Sequence, residues 1–153
     1  MKYEPTLKCF YHPDYYFPLP PDHAFPMYKF PEAAGMVQRE GVASGRAVIC
    51  DPGPCPREAL TRVHQAGYLD RIASHGLTPY ERNRLGLPAH DRLYRRSSYG
   101  ASGTVRAVRA ALEDGLACNL AGGTHHAFAD RGTGFCVFND VAIAIRGLRA
   151  EAP

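Results

Sequence analysis

Three short apolar runs, separated by segments with helical spacing, limit the folds open to this chain. The runs cover residues 7–12, 46–50 and 117–121, and each has the length and composition of a β-strand. Strands that alternate with helices favour a parallel sheet covered by helices. We therefore predict an α/β fold in three layers, with helices on both faces of a parallel sheet.

Helices are predicted where apolar residues recur every three or four positions. The predicted segments are residues 32–39, residues 56–64 with a continuing apolar face near residue 68, residues 102–115, and a last helix after residue 139. Residues 13–31 and 76–88 are predicted to be irregular loops, the first because its prolines remove backbone donors. The helix over residues 102–115 is predicted to begin at a cap formed by Ser102 or Thr104 and to end at Gly115. The last helix is predicted to begin at Asn139 or Asp140, with Val141, Ile145 and Leu148 as its apolar face.

Size and composition are those of one globular domain. The chain has 153 residues, of which 45% are hydrophobic and 22% charged. Its apolar stretches are far shorter than the roughly 20 residues that a membrane span needs, and its start has no apolar signal core. We expect neither a membrane span nor export.

Cysteine usage and net charge indicate the cellular compartment and the kind of partner to expect. The five cysteines are odd in number and form no Cys-x-x-Cys pair, which favours reduced thiols in a cytoplasmic compartment. The net charge of +3 comes without a dense basic run, so we expect no direct binding of nucleic acid.

The chemistry concentrates in residues 122–140, which read GGTHHAFADRGTGFCVFND. Glycines permit sharp turns on both sides of the adjacent pair His125 and His126. Two imidazoles in one loop suit proton transfer to and from a substrate. The segment also follows the third predicted strand, and sites of parallel α/β sheets lie where strands enter such loops.

Other interpretations of these residues remain open. The histidine pair could bind a metal with Asp130 as a third ligand, or could be merely polar loop residues. Cys136 could act as a nucleophile beside a histidine, although buried cysteines more often fill space. Phe135 and Phe138 could line a channel or fill the core.

The segment resembles the active-site stretch of the zinc-dependent histone deacetylase family, within the arginase/deacetylase superfamily. The resemblance extends to residues 63–69, which are similar to an early His-x-x-x-Tyr-Leu helix of the family, and to His12-Pro13 in the first strand. Gly103-Thr104 heads a helix that leads into the histidine segment, as in the class IV-like branch.

The resemblance implies hydrolysis of an acetamide by a zinc-bound water, with acetylated lysine in proteins or an acetylated small amine as the substrate. It implies that His126 is the general base and that His125 is its electrostatic or acid partner. Phe135 would form one wall of a tube around the lysine stem, and Gly134 would offer its backbone to the substrate. His64 is expected to be a structural helix histidine.

One departure from the family pattern bears on the metal. The family's zinc ligands include an Asp-x-His pair that follows the Gly-Phe-Cys region, and no aspartate of this chain begins such a triplet. We therefore expect residues 1–153 to be the amino-terminal portion of a single deacetylase domain, with the zinc ligands beyond residue 153. The alternative is a non-catalytic interaction module or an inactive remnant of a deacetylase. The oligomeric state is left open.

Overall fold

A computed structural model describes residues 6–151, which form a three-stranded sheet and its helices. The strands are β1 (Leu7–Phe10), β2 (Ala47–Cys50) and β3 (Ala117–Asn119). All pairings are parallel and the order is β2-β1-β3, so β1 is central. Leu7 lies opposite Ala47, and Cys9 opposite Cys118. The predicted parallel α/β arrangement is confirmed.

Six α-helices accompany the sheet in the described part of the chain. They are α1 (Lys29–Met36), α2 (Arg57–Thr61), α3 (Ala66–Ala73), α4 (Pro79–Leu85), α5 (Leu93–Asp114) and α6 (Asp140–Glu151). A π-helical turn, Val37–Val42, continues α1, and a short 3-10 turn covers Pro13–Tyr15. None of the helices within residues 6–151 combines the length and apolar character that crossing a membrane requires.

Helix α5 begins nine residues before the predicted start at Ser102. The prediction was wrong because the first half of α5 buries polar side chains that break the apolar pattern. Ser98 exchanges hydrogen bonds with the backbone of Cys55, and the buried Ser102 hydroxyl donates to the carbonyl of Pro52. Neither Ser102 nor Thr104 is a cap. The predicted end is confirmed, because Gly115 takes a left-handed conformation with φ 89°.

Residues 76–88 contain helix α4 rather than only the predicted loop. Thr78 accepts a hydrogen bond from the backbone of Glu81, while the Glu81 carboxylate accepts from the backbone of Thr78. This reciprocal capping box, with Pro79 at the first helical position, starts the helix. Gly86 ends it in a left-handed conformation.

The final helix forms as predicted but buries a different face. The Oδ1 atom of Asn139 accepts from the amide of Ala142, so Asn139 is the N-cap. Val141 and Ile145, predicted to form the apolar face, are exposed. The buried side of α6 carries Ile143 together with the small residues Ala144 and Gly147, and it packs against α5. The core beneath the helices includes Tyr15, Phe17, Leu60, Tyr68, Leu69, Ile72, Leu85, Phe138 and Ile143.

Candidate active site

The histidine pair lies in the loop that leaves the carboxyl end of β3. The amide of Leu120 still pairs with the carbonyl of Phe10 on β1, and the chain then turns at Gly122 with φ 72°. A positive φ is open to glycine at little cost. The loop therefore begins at the edge of the sheet where parallel α/β proteins place their sites.

The two imidazoles face the surface side by side. The ring centroids of His125 and His126 are 4.2 Å apart, with 43° between the ring planes, and both residues are exposed. Gly134 lies against His126, since a Cβ atom built at Gly134 would be 3.4 Å from Cδ2 of His126. The structure thus brings together three of the four predicted site residues. Within residues 6–151, neither ring accepts or donates a hydrogen bond that would fix it.

Hydrogen bonds hold the backbone of the turn that carries the two rings. The Nδ2 group of Asn139 donates to the carbonyls of His125 and Ala127, each at 3.2 Å. The hydroxyl of Thr133 donates to the carbonyl of His126 at 3.0 Å. These bonds satisfy the carbonyls of three consecutive residues.

A buried carboxylate holds the start of the same turn. The amide of Thr124 donates to Oδ1 of Asp140 at 2.7 Å, and the hydroxyl of Thr104 on α5 donates to Oδ2 at 2.5 Å. Asp140 is 1% exposed. A buried carboxylate is costly unless hydrogen bonds satisfy its oxygens, and both oxygens are satisfied here.

His64 is structural, as expected. It is buried, its Nδ1 lies 2.9 Å from the carbonyl of Phe128, and its Nε2 accepts from the amide of Asn139 at 3.0 Å. A carbonyl can only accept and an amide can only donate, so the proton is on Nδ1 and the ring is neutral. Burial lowers the pKa of His64, which favours this neutral form.

Cys136 and Phe138 belong to the interior. Both side chains are buried, and burial raises the pKa of the Cys136 thiol, which opposes formation of the nucleophilic thiolate. Phe138 is part of the core. The cysteine-nucleophile interpretation therefore loses its physical basis.

Phe135, which follows Gly134 in the chain, occupies a strained position. Its φ is 66°, which is rare for a bulky residue, and its amide donates to the carbonyl of Leu85 at 2.8 Å. The ring is half-buried, with ring centroids 5.1 Å from Phe25 and 6.1 Å from His23. A Cβ atom at Gly86 would lie 2.8 Å from Cε1 of Phe135, so the end of α4 fits closely under this ring.

His23 and Phe25 were missed by sequence reasoning. Both come from residues 13–31, where prolines hide any periodic pattern, and His23 is anchored by a 3.0 Å contact between its Nε2 and the carbonyl of Gly86. No local motif could have placed them against Phe135. They are neighbours only because α4 and this loop pack on the same side of the site.

A metal ion does not fit the described residues. Within residues 6–151, no three side chains of His, Cys, Asp or Glu converge as metal ligands. Asp130, the candidate third ligand beside the histidines, pairs with Arg131 at 2.8 Å.

Solved structures share this backbone arrangement. The HDA15 HD domain matches with a TM-score of 0.77, covering 96% of this chain and 44% of its own, at 16% identity. An HDAC homologue from Aquifex aeolicus matches with a TM-score of 0.68, covering 97% and 42%, at 24% identity. At such identities the likeness establishes the fold alone, and the fold is the α/β fold of the arginase/deacetylase kind that the sequence predicts.

Sequence relatives place the chain more narrowly. The profile of the histone deacetylase domain matches residues 23–152. An uncharacterised protein of Picosynechococcus sp. is 42% identical over 139 residues, which are 91% of this chain and 46% of that protein. Histone deacetylase 2 of Arabidopsis thaliana is 30% identical over 131 residues, 80% of this chain and 33% of its own length. Acetoin utilization protein AcuC of Staphylococcus xylosus is 34% identical over 107 residues, 63% and 28% respectively.

The chain therefore belongs to the histone deacetylase domain family, and the predicted family is confirmed. It spans less than half the length of the curated relatives that it matches. The class IV-like branch stays a prediction.

Proposed function

We propose that the protein is a zinc-dependent deacetylase that hydrolyses the acetyl amide of lysine side chains or of small acetylated amines. Residues 1–153 would form the amino-terminal portion of its single catalytic domain. One observation carries the proposal: two exposed imidazoles lie 4.2 Å apart beside Gly134, at the carboxyl ends of the parallel strands. Membership of the family supports an acetylated substrate.

The two histidines would carry out the proton transfer and charge stabilisation that amide hydrolysis requires. His126 takes a proton from the attacking water while the new carbon–oxygen bond forms. The carbon–nitrogen bond then breaks, and the departing amine receives the proton that His126 took from the water. His125, beside it, stabilises the negative charge that develops on the acyl oxygen. His64 is buried, whereas His125 and His126 are exposed. This difference supports the assignment, because only an exposed ring can contact a substrate.

The apolar wall would orient the substrate. An aromatic surface suits the methylene stem of lysine, and Phe135 is kept in place by the carbonyl of Leu85 and by the ring of Phe25. Gly134, between the histidines and Phe135, leaves its backbone accessible to the substrate. These two residues would fix the acetamide within reach of the imidazoles.

Zinc would polarise the acyl carbonyl and lower the pKa of its bound water. The described residues do not fit a zinc site, so the proposal assigns the zinc ligands to residues beyond 153. The surface supports a larger domain, because β3 is an edge strand of the described sheet and α6 exposes Val141 and Ile145. Apolar side chains in this arrangement provide surface on which further elements can pack.

A non-catalytic interaction module is the second candidate. The observation that favours it is the absence of a converging set of metal ligands among residues 6–151. A module of this kind would keep the deacetylase fold while lacking turnover.

Hydrolysis by the full-length protein separates the two candidates. The purified protein should release acetate from an acetyl-lysine peptide or an acetylated polyamine, lose this activity with a zinc chelator, and regain it when zinc is returned. Zinc-loaded, folded protein that cleaves none of these substrates would support the interaction module instead.

A further inference from the structure

We propose that Asp140 and Asn139, at the amino terminus of α6, are positioning residues that place the imidazoles of His125 and His126 for catalysis. This inference rests on the proposed function. It arises because hydrogen bonds hold the backbone of the turn that carries both rings. Asp140 and Asn139 hold that backbone from both ends of the turn.

Asp140 fixes the entry to the turn. Its Oδ1 accepts from the amide of Thr124, the residue before His125, at 2.7 Å. A hydrogen bond to a carboxylate is stronger than one between neutral groups. Asn139 fixes the exit, since its amide group donates to the carbonyls of His125 and Ala127. The two residues therefore restrain the backbone on both sides of the imidazole pair.

The clamp is itself held rigidly. Asn139 caps α6 through its side-chain Oδ1, and its backbone amide donates a hydrogen bond to Nε2 of the buried His64. Asp140 lies in the first turn of α6, where the helix dipole favours a negative charge. Its second oxygen accepts from the hydroxyl of Thr104, so α5 and α6 share this carboxylate.

A chain of polar contacts extends from Asp140 to β3 and to Tyr15 in the 3-10 turn. Asn119 is the last residue of β3. Its side-chain Nδ2 donates to the hydroxyl of Thr104 at 2.9 Å, and its Oδ1 accepts from the Tyr15 hydroxyl at 2.8 Å. Gly103 makes room for this chain, because a Cβ atom there would overlap Tyr15 and Asn119. The carboxylate thus joins the rigid sheet and α5 to the turn that carries the imidazoles.

Asp140→Ala in the full-length protein tests the proposal. Removing the acceptor frees the Thr124 amide, so its hydrogen exchange should accelerate roughly tenfold or more. Misplaced imidazoles should lower kcat about 10- to 100-fold while KM stays within about 2-fold. Asp140→Asn keeps an oxygen at the same place and should recover much of the lost kcat. Asp70→Ala, which removes an exposed carboxylate paired with Arg57, is the matched control and should leave all three quantities unchanged.

Thr104→Val provides a second variant that keeps Asp140. It removes one donor from the carboxylate and should reduce kcat less than Asp140→Ala, with faster exchange at Thr124. A merely structural role would lower the melting temperature of these variants but leave kcat per folded molecule unchanged, and that result would overturn the proposal. An unchanged Thr124 exchange rate in Asp140→Ala would also overturn it.

His126→Ala separates this outcome from failure of the proposed function. Near-normal turnover in His126→Ala would contradict the proposed function itself. Loss of turnover in His126→Ala together with normal turnover in Asp140→Ala would contradict only the positioning role.

Discussion

The surroundings of each imidazole decide its role in this protein. His64 is buried between a carbonyl acceptor and an amide donor, which fix its tautomer and keep it neutral. His125 and His126 are exposed, and within the described residues their rings are free of hydrogen bonds. The same side chain therefore stabilises the loop at one position and is available for proton transfer at the other two.

His64 should couple the stability of the protein to pH. Its pKa is lowered in the folded state, so the unfolded chain binds more protons at acidic pH. The stabilisation is fully present above the ordinary value of 6.5 and is lost as the pH falls below it. Protonation would also break the bond from the Asn139 amide. Chemical denaturation of the full-length protein at a series of pH values measures the effect.

His64→Asn cannot titrate, so it should flatten the decline in unfolding free energy below pH 6.5, although it is less stable at neutral pH. His75→Asn, at a partly exposed position, is the matched control and should retain the decline. An unchanged slope in His64→Asn would show that other groups carry the pH dependence.

Gly86 should control the position of Phe135. Alanine there would press on the Phe135 ring, and we expect KM for an acetyl-lysine peptide to rise roughly 2- to 10-fold, because an aromatic contact is worth about 0.5–1.5 kcal/mol. Gly45→Ala is a close control, since Gly45 also has a positive φ but nothing lies within 4 Å of its added Cβ. Equal KM values in the two variants would contradict the close fit between Gly86 and the substrate wall.

Local patterns predicted the strands and several helix ends but not the start of α5 or the existence of α4. Gly115 and Asn139 were identifiable because a cap depends on one or two neighbouring residues. The first half of α5 was hidden because Arg96, Ser98 and Ser102 face the interior there, and their hydrogen-bond partners are remote in sequence. Helix α4 had a readable signal in Thr78-Pro79 and Glu81 that the apolar pattern alone did not reveal.

The capping box of α4 should contribute measurably to stability. Thr78→Ala removes the side-chain acceptor for the Glu81 amide, and we expect a loss of about 1 kcal/mol in the free energy of unfolding. Thr61→Ala is the control: the Thr61 hydroxyl donates to the carbonyl of Glu58 within α2 and serves no cap, so its loss should stay below about 0.5 kcal/mol. Urea denaturation measures both values, and equal losses of unfolding free energy in the two variants would show that the Thr78 cap contributes no more than the Thr61 hydroxyl.

The candidate site joins three parts of the chain that are distant in sequence. The histidine turn and the start of α6 were predictable because they lie in one contiguous motif. The end of α4 and the loop containing His23 and Phe25 were not, since their contact with Phe135 arises only when the domain packs. Sequence could therefore identify the proposed chemical groups, while the wall beside them required the fold.

Metal binding should depend on more than these 153 residues. No three metal-ligating side chains converge within residues 6–151, so we expect the 153-residue polypeptide to retain less than stoichiometric zinc after dialysis. Metal analysis of the purified polypeptide, beside the full-length protein treated in the same way, measures this. Tight zinc at one ion per chain in the shorter polypeptide would contradict the assignment of the ligands to residues beyond 153.

Turnover of the full-length protein with His126 replaced by alanine tests the role of the imidazole pair. The variant should bind acetyl-lysine peptide much as the parent does and lose at least about 100-fold in kcat, the scale expected for a general base. His75→Ala, at an exposed position outside the candidate site, should keep the parent's kcat. Near-normal kcat in His126→Ala would contradict the account.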